Sequence, residues 1–252
     1  MLLAVDVGNT RIKAAVFEDS ILLEQFAFPI LEFKNAIENI LKKYNNCNDL
    51  IVASVGNLDN SDFLAFETNV KVHFVSNEFP FPFHNLYQTP KTLGIDRMVL
   101  ASGAVLKYPN QNRLIIDAGT CITYDFIDEN DNYHGGAISP GMQLRYKSLN
   151  NFTANLPLLD IDDFNNQIDL EINPNLIGNS TQNSIHSGVI NGLVFEIDGF
   201  IDQYQQQYSN FIIILTGGDA EFLAKRLKNT IFANSNFLLE SLCQTFQYKN
   251  TK

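Results

Sequence analysis

An apolar run, Leu2 to Val5, closes on Asp6-Val7-Gly8-Asn9-Thr10 and passes directly into a second run, Arg11 to Phe17. Alternating, β-branched residues on either side of a Gly-Asn pair spell a hairpin. The glycine lets backbone N–H groups approach a ligand closely, and Asn9 and Thr10 add side-chain hydrogen-bonding groups around it. Asp6 sets a carboxylate at the end of the first strand. That set suits a phosphate with its metal ion, although an ordinary tight hairpin would carry the same string. The pattern then recurs. Leu114 to Gly119, LIIDAG, is followed by Thr120 and the run Ile122 to Ile127. Asp6, Gly8 and Thr10 are echoed by Asp117, Gly119 and Thr120 roughly 110 residues later, a period that belongs to whole duplicated subdomains and not to solenoid units. A third glycine turn, Thr216-Gly217-Gly218-Asp219, stands between strand-like Phe211 to Leu215 and helical Ala220 to Leu227. Such a strand–turn–helix corner favours anions and nucleotides.

The remaining pattern supplies the frame. Strands are predicted at Leu2–Val7, Arg11–Glu18 and Ser20–Phe28, then Leu50–Val55 and Val70–Val75. The spacing of Phe33, Ile37, Ile40 and Leu41 predicts a helix over Phe33 to Tyr44. Phe79-Pro80-Phe81-Pro82-Phe83 cannot be helical and reads as an aromatic loop. Ile95 to Lys107 reads as a helix ended by Pro109. Beyond it come strands at Arg113–Asp117, Ile122–Ile127 and Asn132–Ser139, a helix from Met142 to Asn150, and a polar loop from Asn151 to Pro174. Thr181 to Tyr208 reads as one long helix, loosened at Gly188 and Gly192. Alternating β and α elements with two meander-like starts predict a two-lobed α/β protein with lobes at residues 1–108 and 109–252.

Composition narrows the function. With 252 residues, 45% of them hydrophobic, the chain can bury a sizeable core. A formal net charge of −11 argues against a nucleic-acid partner. No apolar run reaches membrane-spanning length, so no membrane partner is expected. The three cysteines, Cys47, Cys121 and Cys243, are widely spaced and fit neither a metal site nor a disulfide framework. The start of the chain lacks a basic leader region, and a cytoplasmic location is the simplest expectation. An acidic protein that binds a polyphosphate needs cations to mediate.

The two hairpins and the late glycine turn resemble the superfamily of sugar kinases, actin and seventy-kilodalton heat-shock proteins. Within it, Gly94-Ile95-Asp96-Arg97, the run Gly135-Gly136-Ala137-Ile138-Ser139-Pro140-Gly141 and Thr181 closely resemble type III pantothenate kinase. The resemblance runs from Leu2 to about Leu227. It implies an actin-like, ribonuclease H-like fold with duplicated lobes and a central ATP cleft. It also implies ATP-dependent phosphorylation of pantothenate to 4'-phosphopantothenate, the first step of coenzyme A synthesis. There is no G-x-x-x-x-G-K-[ST] string, so a Walker-type phosphate loop is excluded.

The resemblance assigns residues as well. Asp6, Val7, Gly8, Asn9, Thr10, Arg11, Ile12, Lys13 and Thr120 fall to ATP, with Asp6 also suited to Mg²⁺. Lys13 reads equally as a solvated strand-edge lysine. Asp96 falls to catalysis, because phosphoryl transfer to an alcohol needs a carboxylate that takes the hydroxyl proton. By pattern alone it is also an acidic first-turn residue. Tyr87, Gly94, Ile95, Asp96, Arg97 and Thr181 fall to the substrate; Thr181 is equally a helix-opening residue, and Ser180 stands where the family pattern has asparagine. Asp117 falls to a monovalent cation, K⁺ or NH₄⁺, needed besides Mg²⁺, and a homodimer is expected. Two rival readings share the scaffold: a non-catalytic ATP-binding regulator, and a kinase for another small acceptor.

Overall fold

The computed structural model describes residues 1–8, 11–54, 58–161, 174–209, 211–229 and 231–251. Asn9, Thr10 and Val55 lie outside the described residues, as does 162–173 of the polar loop. The chain forms two compact units: residues 1–110, 127–135 and 236–252 make the first, and 111–126 with 136–235 the second.

In the first unit, β1 (Leu2–Val7) pairs antiparallel with β2 (Arg11–Glu18), which pairs antiparallel with β3 (Ile21–Pro29). On its other side β1 pairs in parallel with β4 (Asp49–Ser54), and β4 with β5 (Lys71–Phe74), giving the order β3-β2-β1-β4-β5. Both faces of this sheet are covered, so its central strands are continuous apolar runs. Leu3, Val5, Val7, Ile12, Ala14, Val16, Leu50 and Val52 face one core with Phe33, Ile37, Ile40 and Leu41 of α1 (Phe33–Lys43). The alternate residues Leu2, Ala4, Ala15, Phe17, Ile51 and Ala53 face a second core, as the two-residue period of a strand requires. That face is covered by α3 (Ile95–Lys107) and α8 (Phe237–Thr251), which follow α1 and the short α2 (Asn60–Phe63) in this unit. Helices α3 and α8 approach closely: a Cβ on Gly103 would lie 1.9 Å from Ser241 Oγ, and Thr245 Oγ1 meets Ser102 Oγ at 2.7 Å. No sequence pattern above anticipates α8.

The second unit repeats the plan. Its sheet runs β11-β10-β7-β8-β9, built from β7 (Asn112–Ala118), β8 (Cys121–Ile127), β9 (Asn132–Pro140), β10 (Phe211–Thr216) and β11 (Phe232–Ala233), and the two-residue β6 (His84–Asn85) of the first unit adds a sixth strand beside the start of β9. Strands β7, β10 and β11 pair in parallel, as β1, β4 and β5 do. The two sheets therefore share one strand order, which is the duplication expected from the repeated hairpin strings. Helices α4 (Met142–Asn151), α5 (Thr181–His186), α6 (Gly192–Gln207) and α7 (Ala220–Ala224) belong to this unit. Between α5 and α6, residues Ser187–Asn191 form a π turn, so the expected single helix is wound more widely where Gly188 and Gly192 were read as loosening it. Ser187 Oγ donates to Leu176 O at 2.9 Å and Asn191 Nδ2 to Pro174 O at 2.9 Å, tying the turn to the segment before α5. Ile185, Val189, Leu193, Ile197 and Ile201 are buried against Leu114, Ile116 and Ala118, with Phe200 packed at the edge. Losing one such leucine costs about 2–5 kcal/mol in a packed core.

Candidate functional site

The first hairpin places its residues on two faces. Asp6 pairs with Lys13 and Val7 with Ile12 across the closing rungs of β1 and β2. Val7 and Ile12 send their side chains into the core, so either can offer a ligand only its backbone. Asp6 and Lys13 are half-buried and Arg11 is exposed. Gly8 N–H donates to Arg11 O at 3.2 Å, and a Cβ on Gly8 would stand 3.1 Å from that oxygen. A side chain there would be tighter than an ordinary contact.

At the head of α3, Gly94 is the residue before the first helical turn and Ile95, Asp96 and Arg97 open it. Asp96 Oδ1 folds back to accept the Arg97 backbone N–H at 2.8 Å. A Cβ on Gly94 would come within 2.4 Å of that oxygen, so glycine makes room for the carboxylate. Burial pushes the Asp96 carboxyl above its ordinary value, against the opposing pull of the Arg97 N–H and guanidinium. A carboxylate so raised is a stronger base than an exposed one. Arg97 is 5% exposed, and its guanidinium lies 5.7 Å from the centre of the Tyr87 ring. Tyr87 is held in turn by its backbone N–H, which donates to Asn85 Oδ1 at 3.0 Å. Ile95 packs against the second core. One compact group in the first unit thus gathers Tyr87, Gly94, Ile95, Asp96 and Arg97.

The second unit gathers Asp117, Gly119 and Thr120. Asp117 is half-buried near the end of β7, paired across from Thr216 of β10. Gly119 N–H donates to Cys121 O at 3.0 Å to close the turn, and Thr120 is exposed on it. The turn is braced from behind: Gly141 N–H donates to Thr120 O at 3.1 Å, and a Cβ on Gly141 would lie 2.1 Å from Gly119 O. Arg145 of α4 fixes that brace by donating to Pro140 O at 2.9 Å, Ser139 Oγ at 3.0 Å and Glu196 Oε2 at 2.6 Å. Sequence reasoning passed over Arg145 and Glu196, which no short motif marks. Gly217, at φ +98°, has no room for a Cβ, which would fall 2.6 Å from Asp117 Oδ1. Asp219 N–H donates to Ala118 O at 3.0 Å; its carboxyl is raised to about 6 by burial and, next, by Asp160. Thr181 is an exposed first-turn residue of α5, and the cap is Ser180, whose Oγ accepts from Asn183 N–H at 3.2 Å. The departure from the expected asparagine is thus an exchange of one strong capping residue for another.

The Asp117 carboxylate near the end of β7 is an oxygen donor of the kind a hard cation takes. Among the described residues no three His, Cys, Asp or Glu side chains converge as a ready-made metal site. An ion there would draw on phosphate, carbonyl and water oxygens beside one carboxylate.

A family model described as type III pantothenate kinase matches residues 2–203. A type III pantothenate kinase of Flavobacterium johnsoniae is 67% identical over 99% of this chain and 98% of its own length. Among solved structures, the activator of 2-hydroxyisocaproyl-CoA dehydratase from Clostridium difficile, with bound ADPNP, is 11% identical at a TM-score of 0.56, covering 99% of this chain and 96% of its own. A glucokinase of the ROK family from Streptomyces griseus, in complex with glucose and AMPPNP, is 10% identical at a TM-score of 0.54, covering 100% and 99%. At such identities the two structures speak to fold alone, and that fold is the actin-like, sugar-kinase one.

Proposed function

This chain belongs to the type III pantothenate kinase family, and on that footing we propose that it transfers the γ-phosphoryl group of ATP to the primary hydroxyl of pantothenate, opening coenzyme A synthesis. The observation that carries the reading is the family match over residues 2–203, within which the Gly94–Arg97 group heads α3 with a half-buried carboxylate of raised basicity.

Asp96 takes the proton of the attacking hydroxyl and aligns its oxygen with the phosphorus. Its Oδ1 is already engaged by the Arg97 N–H, which fixes the carboxylate plane and leaves Oδ2 for the hydroxyl. The Arg97 guanidinium, a rigid fork of donors, receives the pantothenate carboxylate or the transferring phosphoryl group. Tyr87 and Thr181 complete the substrate contacts. The turns at Gly8 and Gly119–Thr120, with Lys13, supply donors to the nucleotide phosphates. Asp6 would hold Mg²⁺, directly or through water, and the bound ion would supply stabilisation of the charge developing on the phosphoryl oxygens. Asp117 is the residue for a monovalent cation. The working protein is a homodimer in the cytoplasm; no helix among the described residues is long and apolar enough to cross a membrane.

Purified protein with ATP, Mg²⁺ and K⁺ should release ADP on addition of pantothenate, with a product heavier by one phosphoryl group by mass spectrometry. Glucose and acetate should give no ADP. Binding of ATP without turnover of pantothenate would overturn the proposal in favour of a regulatory protein, and turnover of glucose or acetate alone in favour of another acceptor.

A further inference from the structure

Phe79-Pro80-Phe81-Pro82-Phe83 is the one singular string in the sequence that the reaction as described leaves without a task. Prolines at alternate positions pin φ and remove backbone donors, which stiffens the strap. In the structure its rings form a row. Centroids lie 5.9 Å apart from Phe79 to Phe81, 5.4 Å from Phe81 to Phe83 and 5.7 Å from Phe83 to the fully buried Tyr133. Tyr133 then meets Tyr87 at 6.3 Å, and Tyr87 meets the Arg97 guanidinium at 5.7 Å. The inner end of the row, Phe79, is anchored in the core beneath α8.

Backbone bonds hold the row in register. His84–Asn85 forms a short strand, β6, parallel to Asn132–Tyr133 of β9. His84 N–H donates to Asp131 O at 2.9 Å and Leu86 N–H to Tyr133 O at 3.0 Å. The contact on Tyr87 comes from Gly135. Its φ is +99°, a conformation that side chains disfavour, and a Cβ there would lie 2.8 Å from Tyr87 Cδ2 and 3.0 Å from Cε2. The Tyr87 ring is therefore bounded by the Gly135 backbone, by Tyr133 and by Arg97.

We propose that Gly135 is a positioning residue for pantothenate. Its bare Cα is the seat on which the Tyr87 ring rests, and the Phe79–Phe81–Phe83–Tyr133 row presses the ring onto that seat, so that Tyr87 in turn sets where the Arg97 guanidinium meets the substrate. This rests on the reading above that Tyr87 and Arg97 contact pantothenate. A methyl group at 135 cannot be absorbed by the backbone and must displace the ring, and with it the guanidinium.

The test is steady-state kinetics on Gly135→Ala, Tyr87→Leu, the double variant and Phe83→Leu. Gly135→Ala should raise the KM for pantothenate by about tenfold or more while leaving the KM for ATP within about twofold, since ångström-scale misplacement of a substrate clamp costs one to two decades. In the Tyr87→Leu background, with no ring to displace, the same change should alter the pantothenate KM by less than about twofold. Any loss of thermal stability from strain at φ +99° should persist in both backgrounds, which separates folding from positioning. Phe83→Leu thins the row without touching the seat and should raise the pantothenate KM alone, so it carries the test if Gly135→Ala does not fold. The inference is overturned if Gly135→Ala, or Phe83→Leu in its place, leaves the pantothenate KM unchanged. It is overturned equally if the effect of Gly135→Ala is as large without the Tyr87 ring, or falls equally on ATP. A wild-type protein that does not turn over pantothenate sinks the underlying reading instead, a distinct outcome.

Discussion

The proposed reaction places most of its chemistry on one carboxylate. Asp96→Asn should lower turnover by about 10²-fold or more, the usual worth of a positioned base, with binding of ATP and pantothenate largely kept. Because burial raises its folded-state pKa, the residue contributes stability that is complete at low pH and lost as pH rises through the raised value. The asparagine variant should therefore be no less stable than the wild type at neutral pH. Single-turnover rates and a melting curve on the same preparation check both halves; near-normal turnover would make Asp96 a structural first-turn residue. Asp96 and Arg97 were singled out in the sequence by their resemblance to a family motif; by pattern alone Asp96 is an ordinary acidic first-turn residue. Gly135 stood in the sequence as part of a motif, but its work depends on a ring 48 residues earlier, and no local pattern carries so distant a contact. Arg145 and Glu196, 51 residues apart, were hidden for the same reason.

At the scale of elements, the hairpin joining β8 to β9 has its own electrostatic lock. Asp128 accepts the backbone N–H groups of Asn130 and Asn132 and the side chains of Asn132 and His134. Partial burial works against its charge, but the bonds from His134 and Asn132 outweigh it and bring the carboxyl down to about 2. A carboxyl lowered on folding stabilises above its unfolded value of 3.8, and that contribution drains away as pH falls toward about 2. Wild-type stability should thus decline from pH 4 to pH 2 more steeply than that of Asp128→Asn, measured by urea unfolding at each pH. Equal slopes would show that the lock does no such work. Helix positions in this protein were readable where the apolar spacing is marked, as at Phe33, Ile37, Ile40 and Leu41 of α1. The π turn between α5 and α6 was visible only as two glycines, because its widening follows from buried Ser187 and Asn191 reaching back to Leu176 and Pro174. Helix α8 was passed over although Leu239, Leu242, Cys243 and Phe246 recur at i, i+3, i+4 and i+7; the polar residues between them and the absence of a motif drew no attention to it.

For the whole molecule, charge sets the terms. A protein at −11 that holds a polyanionic nucleotide and an anionic acid needs more than one kind of cation. Activity should require K⁺ or NH₄⁺ besides Mg²⁺, and Asp117→Ala should raise the K⁺ concentration giving half-maximal rate. Full wild-type activity with only Mg²⁺ and tetramethylammonium present would refute this. The stripe on α5 and α6 that could have met a partner is spent inside its own unit. Among the apolar side chains the second unit leaves to solvent are Phe195 at 55%, Leu176 at 70% and Ile177 at 88% exposed. Light scattering at micromolar protein should nonetheless give a dimer mass for the wild type, and Phe195→Glu should lower it; a monomeric wild type would remove the dimer.

Helix α8 lays its apolar side over Leu2, Ala4 and Ile51, on strands made before the second unit, after the whole of that unit has been interposed. A ribosome adding about 5–20 residues per second needs on the order of ten seconds to travel from 111 to 236. For that interval the nascent first sheet keeps part of one greasy face uncovered. A message broken anywhere before 236 would release a polypeptide marked for chaperones and proteases by that bare face.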